Sequence, residues 1–464
     1  MGIVSLAVRP AVDPDLWWHL RTGQLTLQNH AVFRIDPYSF TRGGQAWINH
    51  EWLSDVLMFG LYRLGGWGGL MVTFAVVIAA AYLLAFRRCS GRPYLAGILT
   101  TWAALASLPV WGVRPQVLSL FLASLFLVLY DISQSRPRTL WWAVPLMLLW
   151  VNLHAGYALG IGLLVLLLVG DAADAIIGSE PSAHAAPRIR TMALVIAGCL
   201  AVVPINPYGT KMYLYPLATL RSVSMQSKIA EWFSPNFHDP KYLPLALLML
   251  ATIAALALST RRLRAGELLL LLAANLAALL SVRHIAIYAL IAVPILSKLL
   301  AGRFEGRSRG RAVPFAIAAV TNGALLVAFT TFIALHIRTT VKGQTEAEAN
   351  AFPVRAVSFL ATQRPPGPML NHYDWGGYLI WRLYPDCRVF IDGRADVYGD
   401  SLMKDFDNAN SLSGDWRGVL QRWKIRTIIL PPDSPLITAL QSSSDWKQLY
   451  SDSQATIVTH VDVR

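Results

Sequence analysis

The chain has 464 residues, of which 55% are hydrophobic and only 14% charged, with a formal net charge of +13. Soluble domains carry roughly 25% charged residues, so this deficit excludes an ordinary soluble enzyme and points to a membrane. The basic excess excludes a nucleic-acid binder as well. Residues 338–464 hold 14 basic and 14 acidic side chains, which leaves the whole surplus in the hydrophobic part rather than on a soluble face. Composition thus separates a polytopic domain, residues 1–337, from a neutral, soluble-type domain, residues 338–464. Cys89, Cys199 and Cys387 are scattered and fit neither a metal spacing nor a disulfide framework.

In chain order, the opening "MGIVSLAVRPAV" is too short for a cleavable signal peptide and contains an arginine. A polar, aromatic segment follows over residues 9–55. Its "DPDLWWHL" supports two compatible readings. In the structural one, Asp13 caps a helix that Pro14 begins, and Trp17 and Trp18 anchor at headgroup depth. In the functional one, Asp15 and His19 stand four residues apart on one helical face. A carboxylate beside a histidine suits proton abstraction or metal ligation. Asp36 in "RIDPYSF" reads most simply as a turn. In "INHEWLSD", Glu51 suits the dipole of a helix beginning near Trp52, and His50 alone is more often structural. Five such groups in one segment are harder to dismiss than any one of them.

Ten apolar runs follow, near 67–86, 95–111, 115–131, 139–152, 156–171, 191–205, 243–259, 265–282, 285–300 and 312–336. The loops between them alternate in charge. One set carries Arg87, Arg88 and Arg92; Arg136 and Arg138; Arg188 and Arg190; Arg261, Arg262 and Arg264; and Arg303, Arg307, Arg309 and Arg311. The positive-inside rule makes this set cytoplasmic. The opposite face then receives the segment to Asp55, the 206–241 loop, Arg283-His284 and the C-terminal domain. No Asp, Glu, Lys or Arg stands in the middle of a predicted span, unlike the usual proton-coupled transporter. Outer loops also present Arg114, Asn152, His154, Glu231-Trp232, Arg283 and His284. An arginine fork at the outer surface matches a lipid phosphate; a snorkelling arginine at a helix end is the structural alternative.

After the last run, "VRAVSFLATQ" predicts a helix, and "GPMLNHYDWGGYLIWRLYP" a strand leading into a helix. "CRVFIDG" predicts a buried strand, "WRGVLQRWK" a helix, "IRTIILP" a strand and "WKQLYSDSQATIVTH" a closing hairpin. This alternation is that of a small α/β domain. Asp374, Asp392, Arg394 and Asp396 fall just past strand ends, where such sheets place ligands. Loop caps and ion pairs are the commoner use of such residues. "DWGGY" lacks the spacing of a nucleotide-binding fingerprint.

An outer acidic segment, a long series of spans and a C-terminal extracytoplasmic domain together resemble the GT-C superfamily of polytopic glycosyltransferases, in an uncharacterised bacterial branch. Protein O-mannosyltransferases, aminoarabinose transferases and oligosaccharyltransferases belong to it. "DPD" at Asp13–Asp15 looks like the acidic motif of that superfamily's first external loop. The resemblance covers the architecture of the whole chain, with its sharp motifs confined to about 45 residues near the N-terminus. Two features depart from the pattern. Only a dozen residues precede Asp13, so the first helix is expected to be truncated, with the assigned start inside it. The paired prolines of the aminoarabinose-transferase branch are absent, and "NHEW" stands at about their place.

The resemblance implies a fold of about ten transmembrane helices with an extracytoplasmic α/β domain, in the bacterial cytoplasmic (inner) membrane. It implies transfer of a sugar from a polyprenyl-phosphate donor to a glycan, lipid or protein acceptor at the outer face. Asp15 is expected to be the base, with Asp13 second, and His19 or Glu51 to orient it. Arg114 and Arg283 are expected to meet the phosphate. Asp36, His50, His154, His284, Asp374, Asp392 and Arg394 are further candidates for substrate contact. A divalent cation, Mg²⁺ or Mn²⁺, on Asp13 and Asp15 stays open, because metal-independent members exist. Competing readings are a transporter or flippase of lipid-linked glycan, which Pro145, Pro204 and Pro294 within spans keep open, a polysaccharide polymerase, and a non-catalytic glycan-binding scaffold.

Overall fold

In hydrocarbon the backbone has no hydrogen-bonding partner but itself, so long apolar runs fold as helices. The structure, a computed structural model, describes residues 1–178, 182–304 and 314–461. Among the described residues, eight helices are long and apolar enough to cross a membrane. The chain is a multi-pass membrane protein. Arg307, Arg309 and Arg311 lie outside the described residues, as does the side chain of Arg303.

By internal contacts the chain forms two compact units. The first comprises Met1–Arg9, Met71–Pro216 and Ile229–Thr340; the second comprises Pro10–Leu70, Leu217–Lys228 and Val341–Arg464. Composition divides the chain at residue 337. Contacts group the polar segment after Arg9 with the C-terminal residues instead.

The first unit is helical. Residues 139–152, expected to span, divide into a 3-10 turn, Pro137–Trp142, and an 11-residue helix, Ala143–Leu153. At 1.5 Å per residue this helix is about 16 Å long, half a bilayer core. Ala265–Leu280 reaches 16 residues. It packs against Tyr157–Ile177 and Ile285–Phe304. At its crossing with Tyr157–Ile177, a Cβ on Gly170 would collide with the backbone of Gly266. Small residues at such crossings let helix backbones approach closely.

The spans are less free of charge than their sequences suggest. Tyr157–Ile177 runs six residues past Asp171, and Arg188 lies inside Ser182–Val202 rather than in a loop. Arg188 Nε meets Asp171 Oδ2 at 3.0 Å, and Tyr130 donates to Asp171 Oδ1 at 2.8 Å. All three are buried. Pairing and full hydrogen bonding are what make such charges tolerable inside helices.

The second unit is built on a four-stranded sheet: β1 (Met369–Asn371), β2 (Thr427–Leu430), β3 (Trp446–Ser451) and β4 (Thr456–His460), in the order β1-β2-β4-β3. β1 and β2 are parallel and the other pairs antiparallel, so β3 and β4 form the expected closing hairpin. Alternation along β2 and β4 sends Ile429 and Ile457 to one core and Ile428, Leu430 and Val458 to another. The second core is closed by Ala395–Asn410 and Pro435–Gln441, two helices that the pattern did not predict.

The first core contains Trp17, Trp18, Tyr38 and Trp47 from the polar segment, together with Phe352, Tyr378 and Leu379. Trp17 and Trp18 are therefore not headgroup anchors. They are 1% and 5% exposed. Trp17 sits edge-on to Trp67, Phe352 and Tyr378, with ring centroids 5.4, 5.3 and 4.8 Å away. "CRVFIDG" is likewise not a strand of the sheet. It runs beside the polar segment through a parallel bridge of Val389 with Ser39, held by Val389 N donating to Tyr38 O and Phe40 N to Val389 O.

Candidate active site

Asp13-Pro14-Asp15 forms a turn into the helix Leu16–Asn29. The cap is Asp15, not Asp13. Its backbone carbonyl accepts from His19 N, while the Asp13 carboxylate accepts from the Asp15 amide at 3.0 Å. Asp15 makes no side-chain cap bond. Its carboxylate instead accepts the Trp18 indole N–H at 3.0 Å, and the residue is partly exposed.

Two glycines let the C-terminal segments close on this turn, and a third lets those segments pass one another. A Cβ on Gly393 would overlap Asp15 Oδ1, one on Gly377 the carbonyl of Pro14, and one on Gly376 the backbone of Ile391 and Asp392. "DWGGY" and "IDGRAD" thus carry glycine where backbone and carboxylate pass in contact. Carboxylates of these segments and Asp15 act together on Tyr373. Tyr373 donates to Gly393 O at 3.3 Å. Burial raises its hydroxyl pKa well above the ordinary value, reinforced by Asp15, Asp392, Asp374 and Asp396. Asp374 and Asp396 are exposed.

Behind the turn lies a row of buried polar groups. His19 is 2% exposed, Glu51 6% and Asp55 fully buried. His19 Nδ1 stands 2.6 Å from Asp55 Oδ1, and Asn49 Nδ2 donates to Asp55 Oδ2 at 2.7 Å. On the other side, His19 Nε2 is 3.7 Å from Glu51 Oε2, and His50 Nε2 is 3.7 Å from Glu51 Oε1. Burial pushes the Glu51 carboxyl up to about 8, reinforced by Asp55, Asp15 and Asp396 and opposed by His19. For His19, burial lowers the pKa, but Asp55, Glu51 and Asp15 outweigh it, and the ring is held above its ordinary value. Asp55 and Asn49 escaped the sequence reading. The available signal was the i,i+4 step from Glu51 to Asp55, at the start of a largely apolar helix.

Asp36, Asp392 and Arg394 come together, but with no face left for a ligand. Arg394 donates to Asp36 Oδ1 at 2.8 Å and grips both oxygens of Asp392 at 2.8 and 2.6 Å. Asp36 also accepts from the Tyr38 and Ser39 amides and the Ser39 hydroxyl. Tyr398 donates to Asp392 at 2.5 Å. The guanidinium lies over Trp47 and Tyr38, at 4.6 and 4.9 Å from their ring centres. Burial alone would lower its pKa, but Asp392 and Asp36 raise it well above the ordinary value. A turn at Asp36 is what the sequence suggested, and this cluster is the buried strut that fixes it.

The remaining candidates belong to the first unit. Arg114 Nη1 bonds Glu231, and Arg283 Nη2 stands 3.5 Å from the other Glu231 oxygen with its guanidinium 4.3 Å over Trp232. His284 lies edge-on to Trp232 at 6.4 Å. Arg114 and Arg283, remote in sequence, thus share one carboxylate. His154 is elsewhere: its Nδ1 accepts from Gly156 N and meets Ser119 Oγ at 2.7 Å. Asn152 donates to Ile205 O.

Over 93% of its length the chain matches the apo oligosaccharyltransferase of Archaeoglobus fulgidus, with a TM-score of 0.54, 11% identity and 68% of that chain covered. Against ArnT of Cupriavidus metallidurans bound to undecaprenyl phosphate the TM-score is 0.51 at 14% identity, covering 99% of this chain and 96% of that one. The chain shares the fold of these two proteins. The archaeal enzyme in complex with Zn and sulfate matches with a TM-score of 0.51 at 12% identity, covering 91% of this chain and 64% of that one. No family model and no curated protein matches the sequence.

Among the described residues, no three His, Cys, Asp or Glu side chains are grouped to hold a metal ion. Protein N–H groups orient Asp13 and Asp15 instead.

Proposed function

We propose that the protein is a membrane glycosyltransferase, transferring a sugar from a polyprenyl-phosphate donor to an acceptor at the outer face of the cytoplasmic membrane. The observation that carries this reading is Asp15: a partly exposed carboxylate at a helix start, oriented by Trp18 and cradled by Gly393, in a GT-C fold. The ArnT structure bound to undecaprenyl phosphate adds support for the lipid class. Loop arginines supply the orientation through the positive-inside rule.

In the proposed reaction, an acceptor hydroxyl oxygen attacks the anomeric carbon. The bond from that carbon to the phosphate oxygen breaks, and its electron pair leaves with polyprenyl phosphate. Asp15 takes the hydroxyl proton, with Asp13 steadying the turn that presents it. Cationic groups stabilise the charge that develops on the leaving phosphate. Asp374 and Asp396, exposed and acting with Asp15 on Tyr373, contact sugar hydroxyls in this reading. The Asp15 amide and the Trp18 indole orient the two carboxylates.

The test is release of polyprenyl phosphate from a panel of radiolabelled polyprenyl-phosphate sugars by the full chain in lipid nanodiscs. Asp15→Asn is expected to lower turnover by about 10²-fold or more. Full activity in that variant would remove Asp15 as the base. No turnover with any donor would overturn the transferase itself.

A further inference from the structure

Behind Asp15, five side chains form a single file: Asn49, Asp55, His19, Glu51 and His50. The contacts between neighbours are 2.7, 2.6, 3.7 and 3.7 Å. Such an order is unusual in a buried setting, because two carboxylates facing one imidazole must divide its charge. The geometry divides it unequally. Asp55 meets His19 at hydrogen-bond distance, its second oxygen is satisfied by Asn49, and it is 0% exposed. Glu51 stands more than 1 Å further from the ring.

We propose that Asp55 is a positioning residue for this site: it clamps His19 through Nδ1, turns Nε2 on Glu51, and compensates the imidazolium so that Glu51 faces it as a neutral acid. This rests on the transferase reading, because the acidic site it would serve is the one assigned to Asp15. The groups acting on Glu51 are His19 from the helix Leu16–Asn29, Asp55 from the helix Trp52–Arg88, Asp15 from the turn, Asp396 from the start of the helix Ala395–Asn410, and the neighbouring His50. Of these only the histidines are cationic when protonated, and His19 is already paired. A Glu51 that keeps its proton adds no second anion beside Asp15. The upward shift of Glu51 to about 8 accords with this arrangement.

Asp55 acts through another residue, so its effect must show as a change in protonation rather than a bare loss of activity. In Asp55→Asn the side-chain oxygen facing His19 remains and the charge goes. The imidazolium is then uncompensated on that side and interacts with Glu51 alone. The full chain in nanodiscs, labelled with ¹⁵N-histidine and assigned by difference from His19→Gln, reports the His19 protonation midpoint directly. Asp55→Asn is expected to lower that midpoint by about one pH unit or more. It is also expected to shift the pH profile of turnover, and to shift it no further when added to His19→Gln.

An unchanged His19 midpoint in Asp55→Asn would overturn the clamp, whatever the turnover. So would an equal shift of the pH profile in the His19→Gln background. If Asp55→Asn fails to fold, Asn49→Ser probes the same clamp from behind, and no change there in the His19 midpoint overturns it. Absence of turnover in the wild-type chain with a shifted His19 midpoint would overturn the transferase reading and leave the clamp standing.

Discussion

Glu51 lies between two histidines and is almost sealed from water, with its carboxyl pushed up to about 8. An unfolded glutamate titrates near 4.5, so between those values the folded state binds more protons than the unfolded one. Stability therefore falls as pH rises through that window. His19 works in the same sense: its folded pKa is raised, so its contribution is present below about 6.5 and lost at higher pH. Asp36 is opposite, since Arg394 and its hydrogen bonds hold its carboxyl below the ordinary value despite burial, and its contribution is lost in acid. Glu51→Gln, a neutral isostere, is expected to raise the apparent melting temperature at pH 8 by several degrees and to flatten its decline with pH. A thermal-shift series from pH 5 to 9 checks this. An unchanged slope would mean that Glu51 ionises freely in the folded protein.

Among elements, the contact between the "DPD" turn and the glycine loops matters most for chemistry. Gly393→Ala introduces a methyl where Asp15 Oδ1 now lies. One of them must move, and turnover is expected to drop by about 10-fold or more because proton transfer depends on hydrogen-bond reach. Equal turnover in Gly393→Ala and wild type, measured in the donor-panel assay, would show that the loop yields without disturbing the carboxylate. Arg394 makes a different kind of contact, joining Asp36 of the polar segment to Asp392 of the C-terminal loop. Arg394→Met leaves two buried carboxylates facing each other without a cation, a loss of about 3–5 kcal/mol. Limited proteolysis of the folded protein would register it as new cleavage between residues 30 and 50.

For the whole molecule, the loop arginines make orientation testable. With Cys89, Cys199 and Cys387 replaced by serine, a cysteine at Arg136 is expected to react with a membrane-impermeant maleimide only from the cytoplasmic side, and one at exposed Asp374 only from the outside. The reverse pattern would place the acidic site away from the face where lipid-linked donors are proposed to be used. Labelling of intact cells against inside-out vesicles separates the two.

Much of the fold was legible along the chain, because hydrophobic length and period are local properties. Eight of the ten expected spans, the closing hairpin, the helices at Val354–Gln363 and Trp416–Arg422 and the acidic turn at Asp13–Asp15 follow from runs of neighbours. Less local features did not. Trp17 and Trp18 read as membrane anchors because an aromatic pair beside apolar sequence looks the same whether lipid or protein covers it. The structure covers them with Phe352 and Tyr378, more than 300 residues away. "CRVFIDG" has the composition of a buried strand, and it is buried, but its partner is Ser39 rather than a strand of the sheet. Asp171 and Arg188 looked like a span end and a loop, because a charge is admitted inside a helix only when its partner is known. Asp55 was passed over for the same reason. Sequence alone determined that this is a multi-pass membrane protein with an acidic turn early in the chain. Only the tertiary structure decided which carboxylates are held by arginine, which by histidine, and which remain partly exposed, since a charge's role depends on the partners that folding brings within a few ångströms.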